Sequence, residues 1–448
     1  MAFRLPLTKT SLIGTFTRNS DSPECILSRS AAGGSFSRGR FRGFSFGIFT
    51  SYCVIIFLIS LADGVMSYTA PIFIENSLNS ASKMGLIIAA SSLAGLIFDF
   101  LFGELLSKKS YRFYLSAALV LAFLFPSMFL TLSPKVHFFI LGMFTWGIYY
   151  ELIRFSDFHF INTYTNKDEH AKSWGTLLIF KSLAYTLGPL IASLLISKYF
   201  SLSFISALSF VLLAFFLFLA FSRTHNKKEQ NFENRPKKVS LIEELKIWKI
   251  LFKKVWALWL FILVIFMLDA AFWTAGAVLS ETLKQKSALG GFFLTVYMVP
   301  GLFMGLLAQK VSKPLGKKKI AFISGLFSGL ILISVGFTHN VPLLLVLVFI
   351  SSTLGALSVP EILATFEDYV ARLQSFGNDM ISLERTGENA SYIIGPIIAG
   401  FLAQVLGFQK VFSVMGALLA ITAAVALIFT PRKIPMPQKE LSNFNRFS

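Results

Sequence analysis

Long apolar runs separated by short polar breaks fill the sequence from about residue 47 to residue 430. Each run has about 18 or more mostly apolar residues, enough for an α-helix to cross a bilayer core at about 1.5 Å per residue. Because no water satisfies the backbone there, each run predicts a transmembrane helix. The runs lie at 47–73, 84–106, 113–131, 137–160, 173–197, 201–222, 255–280, 287–311, 319–337, 341–366, 380–405 and 409–430.

The apolar runs fall into two sets of six, and a charged stretch separates the sets. This layout predicts an all-α polytopic membrane protein with twelve transmembrane helices in two six-helix bundles. The first residues are rich in Ser, Gly and Arg, so we expect disorder there, with a targeting segment or a misassigned start codon as alternatives. The predicted divisions are a cytoplasmic tail at 1–45, an N-terminal bundle at 46–222, a cytoplasmic linker at 223–254, a C-terminal bundle at 255–430 and a cytoplasmic tail at 431–448.

The two sets of six resemble copies of one another. Residues that are uncommon inside apolar runs recur at a nearly constant offset, which is 206 for the two aspartates (269 − 63). A constant offset across several helices indicates an internal repeat and predicts pseudo-symmetric bundles. The matched pairs are Asp63 and Asp269, Glu75 and Glu281, Gly85 and Gly291, and Gly95 and Gly301, with Gly188-Pro189 and Gly395-Pro396 at an offset of 207.

The distribution of positive charge predicts the orientation of the chain. Its formal net charge of +18 would also fit a protein that binds nucleic acid. Here, however, Lys and Arg gather in alternate loops, as the positive-inside rule describes. We therefore expect no nucleic-acid partner, both termini in the cytoplasm, and a multi-pass protein of the plasma or inner membrane.

The sequence has no pattern typical of a cofactor, a metal or covalent catalysis. Cys25 and Cys53 are the only cysteines, which predicts neither a disulfide framework nor a cysteine metal site. The sequence contains no Gly-x-x-x-x-Gly-Lys-Ser/Thr loop and no nucleophile elbow. We expect no enzyme activity, no catalytic residues and no ATP-driven pumping, so that energy has to come from an ion or substrate gradient.

Two loops carry basic motifs at matching places in the repeat. They read Gly103-Glu-Leu-Leu-Ser-Lys108-Lys-Ser-Tyr-Arg112 and Gln309-Lys-Val-Ser-Lys-Pro-Leu-Gly316-Lys317-Lys318. Both resemble the Gly-x-Leu-x-Asp-Arg-x-Gly-Arg-Arg loop of the major facilitator superfamily, in which cations and an acid connect neighbouring helices. Ser107 and Lys313 replace the acid here, so that an acid-to-arginine contact of the family type is not expected.

A third loop and the overall layout resemble the same family. Lys167-Asp-Glu-His-Ala-Lys-Ser-Trp-Gly175 is similar to its Glu-Glu-Arg-Gly-Arg-Ala-x-Gly motif. The resemblance extends over about residues 47 to 430. It implies two parallel halves that rock around a central site and expose it to each side of the membrane in turn. It also implies a small-molecule substrate, and we expect a monomer in the lipid bilayer.

A Gly-Pro dipeptide in the fifth predicted helix has two interpretations. Gly188-Pro189 resembles a fifth-helix motif of antiporters and exporters in this family. The dipeptide recurs at Gly395-Pro396, where a kink is sufficient explanation, because Pro removes a backbone hydrogen bond and Gly lets helices approach. The four residues are therefore candidates for gating or for simple helix breaks.

Acids inside predicted helices are the main candidates for function, because an ionisable group at mid-membrane costs about 2.5 to 3.5 kcal/mol. Asp63 and Asp269 lie well inside the first and seventh predicted helices, which line the central cavity in the family that the chain resembles. An acid there can bind and release a proton, which predicts proton coupling. The alternative is that both acids accept hydrogen bonds and only fix helix packing.

The fourth predicted helix carries Glu151, Arg154 and Asp157 along one face. The cluster either binds a polar or charged substrate or forms a buried network of ion pairs that holds helices together. Asp99, in the second predicted helix, is a candidate to replace the acid that the nearby loop motif lacks.

Three further charged residues lie inside predicted helices. Lys181 and Glu388 match at the offset of 207 and have opposite charges, so they are candidates to pair across the cavity in one state. The alternative is that both lie near the membrane interface and extend their charged groups to water. Glu361, which follows Pro360, is a cavity candidate. Aromatic side chains either line an amphipathic pocket or serve packing, and the candidates are Tyr68, Trp146, Tyr149, Tyr150 and Trp273.

The sequence thus predicts a secondary active transporter with alternating access. Proton-coupled export of a small amphipathic molecule is the first expectation. Proton-coupled or facilitative uptake of a polar metabolite, such as a sugar or an organic acid, is the alternative. A receptor or lipid-handling protein that does not transport is a third possibility, because one fold can serve several functions.

Overall fold

The computed structural model describes residues 46–106, 109–165, 169–224, 241–304, 316–373, 376–431, 434–441 and 444. The predicted tail at 1–45, Lys108 and half of the predicted linker, residues 225–240, lie outside these ranges. The helices are α1 Phe46–Leu78, α2 Ala81–Leu106, α3 Tyr111–Thr131, α4 Val136–Tyr164, α5 His170–Ile196, α6 Phe200–Thr224, α7 Leu241–Lys286, α8 Ala288–Met304, α9 Lys317–Val335, α10 Val341–Leu373, α11 Gly377–Leu406, α12 Phe408–Phe429 and α13 Gln438–Leu441.

Among the described residues, eleven helices are long and apolar enough to cross a membrane. Of helices α1 to α12, only α8 is shorter than these eleven among the described residues. It is apolar and begins with a 3-10 turn at Ala288–Phe292. Its predicted continuation after Met304 lies outside the described residues. The structure therefore confirms the prediction of an all-α polytopic membrane protein.

Helix α7 is interrupted within the membrane. It consists of an α-helical piece at Leu241–Ala271, a π-helical turn at Phe272–Gly276 and a second α-helical piece at Ala277–Lys286. A single π-helical turn inside an α-helix widens the backbone locally and is frequent at functional sites. This turn begins three residues after Asp269, so the irregular backbone lies near a predicted site residue.

The two sets of six helices pack in the same way, which confirms the predicted pseudo-symmetry. In the first half α1 packs against α5 and α6, and α3 packs against α4 and α6. In the second half α7 packs against α11 and α12, and α9 packs against α10 and α12. Each helix thus meets the partners that its repeat equivalent meets.

The halves meet mainly where α2 packs against α11 and where α5 packs against α8. At the first contact the backbones approach closely, since a Cβ on Gly85 would lie 2.2 Å from the Pro396 carbonyl oxygen and one on Gly400 would lie 2.4 Å from that of Ala81. We call this end of the bundle, which contains the turns at 79–80, 287 and 407, the sealed end. The opposite end, where α11 begins at Gly377, is called the charged end.

Candidate functional site

Asp63 lies in the first half and is held by three aromatic donors. Trp146 Nε1 donates to its Oδ1 at 2.6 Å, Tyr150 OH donates to its Oδ2 at 2.7 Å, and Tyr185 OH also donates to Oδ2. Only 5 % of Asp63 is exposed. The donors come from α4 and α5, so this one carboxylate connects three helices.

A glycine beside Asp63 allows α5 to approach α1 closely. A Cβ on Gly188 would lie 2.6 Å from the carbonyl carbon of Gly64, so no larger residue fits between these backbones. The close approach brings Tyr185, one turn before Gly188, onto Asp63. In the Gly188-Pro189 dipeptide the glycine therefore has a packing role, because it lets α5 approach α1.

Asp269 lies in the second half in a similar environment. Tyr297 OH of α8 donates to Oδ1 at 2.6 Å and Tyr392 OH of α11 donates to Oδ2 at 2.7 Å. The glycine of Gly395-Pro396 repeats the close approach, because a Cβ there would lie 2.8 Å from the Ala270 Cβ. Tyr185 and Tyr392 stand at the repeat offset of 207, so each acid has an equivalent tyrosine donor.

A narrow, mostly apolar pocket is lined by one donor to each acid, namely Trp146, which donates to Asp63, and Tyr392, which donates to Asp269. Trp146 from the first half and Trp273 from the π-helical turn of the second half both line it, which places these two predicted residues at one site. Other lining residues are Ser67, Pro71, Thr274 and Tyr392. The indole nitrogen of Trp273 is buried without a hydrogen-bond partner among the described residues.

A second group of predicted residues forms a charged cluster nearer the charged end. Arg154 NH2 lies 2.5 Å from Glu151 Oε2 and 3.1 Å from Asp99 Oδ2. Glu388, in the other half, also interacts electrostatically with Arg154. The side chain of Asp99 is 43 % exposed and that of Glu151 only 2 %, so the cluster extends from an accessible surface into the protein.

Lys181 lies in a separate network of the first half. It forms an ion pair with Asp157, and Tyr52 OH donates to the other oxygen of that carboxylate at 2.8 Å. Asp157 is 1 % exposed. In this conformation the charge of Lys181 is therefore matched within its own half, and the predicted pairing of Lys181 with Glu388 is not formed.

Tyr68 lies at the sealed end and connects the halves. Its hydroxyl donates to Ser280 Oγ at 2.9 Å and to Glu281 Oε1 at 2.7 Å. Ser193 Oγ donates to the same Glu281 oxygen at 3.1 Å, and Lys284 Nζ lies 3.6 Å from it. These contacts join α1 and α5 to α7, so we call these residues the sealed-end clasp.

The remaining predicted residues lie away from the pocket. Glu361 is buried in α10. Lys317 donates to both carboxylate oxygens of Asp368 at 2.8 and 2.9 Å, and Lys318 donates to the Pro431 carbonyl, so an acid from α10 replaces the one missing in the loop motif. Gly103 and Gly316 lie at helix ends, and Arg112 Nε donates to Tyr111 OH at 3.2 Å.

Three of the five donors to the two acids, Tyr185, Tyr297 and Tyr392, were not among the predicted site residues. Aromatic residues are common in membrane helices for packing, so their number gives no signal. The repeat offset would have singled out one pair, Tyr185 and Tyr392. Tyr297 corresponds to Ser91 and Tyr150 to Ala356 at the offset of 206, so these two donors had no signal in the repeat.

Two pseudo-symmetric six-helix halves that enclose a pocket, with a buried acid at the same point of each half, define a membrane transporter. The chain belongs to the Major Facilitator Superfamily, whose pattern matches residues 52–284 and 258–445. It is therefore a transporter of some substrate and not an enzyme.

Curated proteins and solved structures agree with this assignment. Multidrug resistance protein MdtG of Proteus mirabilis (strain HI4320) is 28 % identical over 162 residues, which are 35 % of this chain and 40 % of that protein. The match thus spans about two fifths of the relative.

Solved structures are similar in fold at low sequence identity. Nucleoside transporter NupG superposes with a TM-score of 0.70 over 86 % of this chain and all of that chain, at 12 % identity. The human organic anion transporter MFSD10 gives a TM-score of 0.59 over 85 % of this chain and 98 % of that one, at 15 % identity. Likeness at this identity concerns the fold alone.

Proposed function

We propose that the protein exports a small amphipathic molecule in exchange for protons, and that Asp63 and Asp269 carry the protons. The observation behind this proposal is that both acids lie at equivalent points of the two halves and are tied by aromatic donors to the wall of one shared pocket. Protonation of either acid would therefore act on the pocket itself.

The hydrogen bonds around the acids provide a mechanism for coupling. An ionised carboxylate accepts several hydrogen bonds, whereas a protonated one gives up part of its acceptor capacity. Protonation of Asp63 would thus loosen Trp146, which is both its donor and part of the pocket wall. Binding of a molecule against Trp146 would favour one protonation state in return, because coupling between two ligands is reciprocal.

Export as the direction of transport rests on two observations. MdtG of Proteus mirabilis, which matches part of this chain, is described as a multidrug resistance protein. The wall of the pocket is mostly aromatic and apolar with a few polar groups, which suits an amphipathic molecule. The positive-inside rule predicts that the charged end, with its basic loops, faces the cytoplasm, so that the substrate would enter there.

A second candidate function is uptake of a polar metabolite. The charged cluster of Asp99, Glu151 and Arg154 favours it, because a polar substrate can exchange partners with such groups. In this case the cluster, and not the aromatic pocket, would bind the substrate.

Counterflow in proteoliposomes distinguishes these candidates. Sugars, organic acids, nucleosides and lipophilic cationic dyes would be tested with and without a pH gradient. We expect a pH gradient to drive dye accumulation and the variants Asp63→Asn and Asp269→Asn to reduce that accumulation by about tenfold or more, as for other groups that transfer a proton. Dye counterflow without a gradient should persist in both variants.

The exposed acid Asp368 provides a matched control, since Asp368→Asn removes a carboxylate at the charged end without touching the pocket. Gradient-driven accumulation that both pocket variants retain would contradict the coupling proposal. Gradient-driven uptake of a sugar or organic acid alone would favour the second candidate.

A further inference from the structure

Helix α11 carries an unusual line of polar side chains along one face. Glu384, Glu388 and Tyr392 follow one another at intervals of four residues, which places them on one face about 6 Å apart along the axis. They are 2 %, 8 % and 1 % exposed, respectively. The line starts near the charged end and finishes at Tyr392, whose hydroxyl donates to Asp269.

Each member of the line interacts with the next one. Glu384 and Glu388 interact electrostatically, and so do Glu388 and Tyr392. The hydrogen bond from Tyr392 to Asp269 is 2.7 Å long. The first member, Glu384, has one carboxylate oxygen that is buried without a hydrogen-bond partner among the described residues. A buried acceptor of this kind is costly unless it binds something, and a proton removes that cost.

We propose that Glu384, Glu388 and Tyr392 form a proton relay that connects the charged end with Asp269. This inference rests on the proposed proton coupling and adds the route by which one of the two acids receives its proton. It concerns residues of α11 that neither the loop motifs nor the match to known proteins singles out.

The transfer changes only O–H bonds. A hydronium ion at the charged end gives its proton to the Glu384 carboxylate and becomes water. The proton then passes to the Glu388 carboxylate and on to the hydroxyl oxygen of Tyr392, which gives its own proton to Asp269. Tyr392 is neutral before and after this step, and rotation of its hydroxyl restores the starting arrangement.

The surroundings of the relay contain charges of both signs. Arg385 interacts with both glutamates, Glu367 of α10 interacts with Glu384, and Arg154 of α4 interacts with Glu388. The cations stabilise the ionised glutamates and the neighbouring acids oppose ionisation. Relay members can therefore change protonation state without leaving an isolated charge in the protein.

The first half has no equivalent relay. At the offset of 207, Glu384 corresponds to Leu177 and Glu388 corresponds to Lys181, whereas Tyr392 corresponds to Tyr185. Lys181 is already paired with Asp157. The repeat thus preserves the acid and its tyrosine but not the carboxylates leading to them, so Asp269 and not Asp63 exchanges protons along this route.

Infrared spectroscopy of carboxyl protonation after a rapid pH jump tests the relay without any substrate. The full-length protein in proteoliposomes would be used, and the signals would be assigned with Asp63→Asn and Asp269→Asn. We expect Glu384→Gln, Glu388→Gln and Tyr392→Phe to slow protonation of Asp269 by about tenfold or more, as loss of a proton-transfer group does. The rate for Asp63 should not change, which also verifies that each variant is folded.

Asp368→Asn is the matched control, because it removes an exposed carboxylate of the charged end that is paired with Lys317 and is not on the line. Protonation of Asp269 in this variant should be as fast as in the parent protein. An Asp269 signal that keeps its full rate in all three relay variants would overturn the relay and leave the proposed function standing. An Asp269 that never takes up a proton would overturn both.

Discussion

At the scale of single residues, the two membrane-buried aspartates are defined by the groups that donate to them. Asp63 accepts from two tyrosines and a tryptophan, and Asp269 accepts from two tyrosines. Hydrogen bonds to a charged group contribute about 1.5 to 3 kcal/mol each, so these donors hold the acids and the helices together. The same bonds make helix packing sensitive to the protonation of each acid.

Removal of one donor should weaken the first half measurably. Tyr185→Phe deletes a hydroxyl that donates to Asp63 across α1 and α5, so we expect a lower apparent melting temperature in detergent, equivalent to about 1.5 to 3 kcal/mol. Tyr149→Phe is the control, since Tyr149 is equally buried but is not one of the three donors to Asp63. Equal melting temperatures for the two variants would show that the Tyr185 hydroxyl does not hold α1 to α5.

At the scale of helices, glycines decide how closely neighbours pack. Gly147 of α4 lies against α2 within the first half, where a Cβ would be 1.9 Å from the Ser91 carbonyl oxygen. Gly85 lies against α11 of the other half, with a Cβ distance of 2.2 Å to the Pro396 carbonyl oxygen. Gly147→Ala and Gly85→Ala each add one methyl group, but we expect them to have different consequences.

Gly147→Ala should destabilise the protein itself. The helices it separates belong to one half and pack together in every state of a rocking motion, so overpacking costs about 1 to 3 kcal/mol. We expect a lower apparent melting temperature and reduced expression of folded protein. A melting temperature equal to that of the parent protein would mean that α2 and α4 separate easily.

Gly85→Ala should instead change the conformation. The methyl group obstructs a contact between halves, which the protein can relieve by opening the sealed end. We expect an ordinary melting temperature together with faster reaction of a cysteine at Ser67 in the pocket with a maleimide applied from the sealed side. Slower or unchanged labelling would contradict the assignment of this contact as the closure.

The helices were largely predictable from the sequence, and the details of the site were not. Apolar runs mark the part of a helix in lipid, but α7 begins at Leu241 and α4 continues to Tyr164, so both helices extend beyond their apolar runs. No periodic pattern of apolar residues in the sequence predicts the π-helical turn. Asp63 and Asp269 were predicted as site residues because a charge in lipid is costly. A tyrosine in an apolar helix is common, so its hydroxyl does not mark the residue as part of a site.

At the scale of the whole molecule, the two ends of the bundle differ in how the halves meet. The clasp of Tyr68, Ser193, Glu281 and Lys284 joins the halves at the sealed end, close to the glycine contact between α2 and α11. At the charged end the side chain of Asp99 is exposed and that of Arg154 is partly exposed. This asymmetry is what one state of an alternating-access transporter requires.

The orientation of the two ends in the membrane can be measured directly. We expect a cysteine at Ser133, near the sealed end, to react with a membrane-impermeant maleimide in intact cells, and a cysteine at Lys109, near the charged end, to react only after permeabilisation. Both would be made in a chain with Cys25 and Cys53 replaced by serine. The reverse pattern would place the basic loops outside and contradict the charge argument.

Pulsed electron-spin distance measurements as a function of pH test the central claim most directly, namely that protonation of Asp63 and Asp269 alternates access between the two ends. Spin labels would be placed at Lys83 and Val405 at the sealed end, and at Lys172 and Ala371 at the charged end.

Protonation of either acid removes acceptor capacity that its donors use in this conformation, so we expect acidification to lengthen the distance at the sealed end and to shorten that at the charged end. The combined variant Asp63→Asn and Asp269→Asn should lose this response. Distances that do not change with pH, or that change with pH by the same amount in the combined variant, would contradict the account.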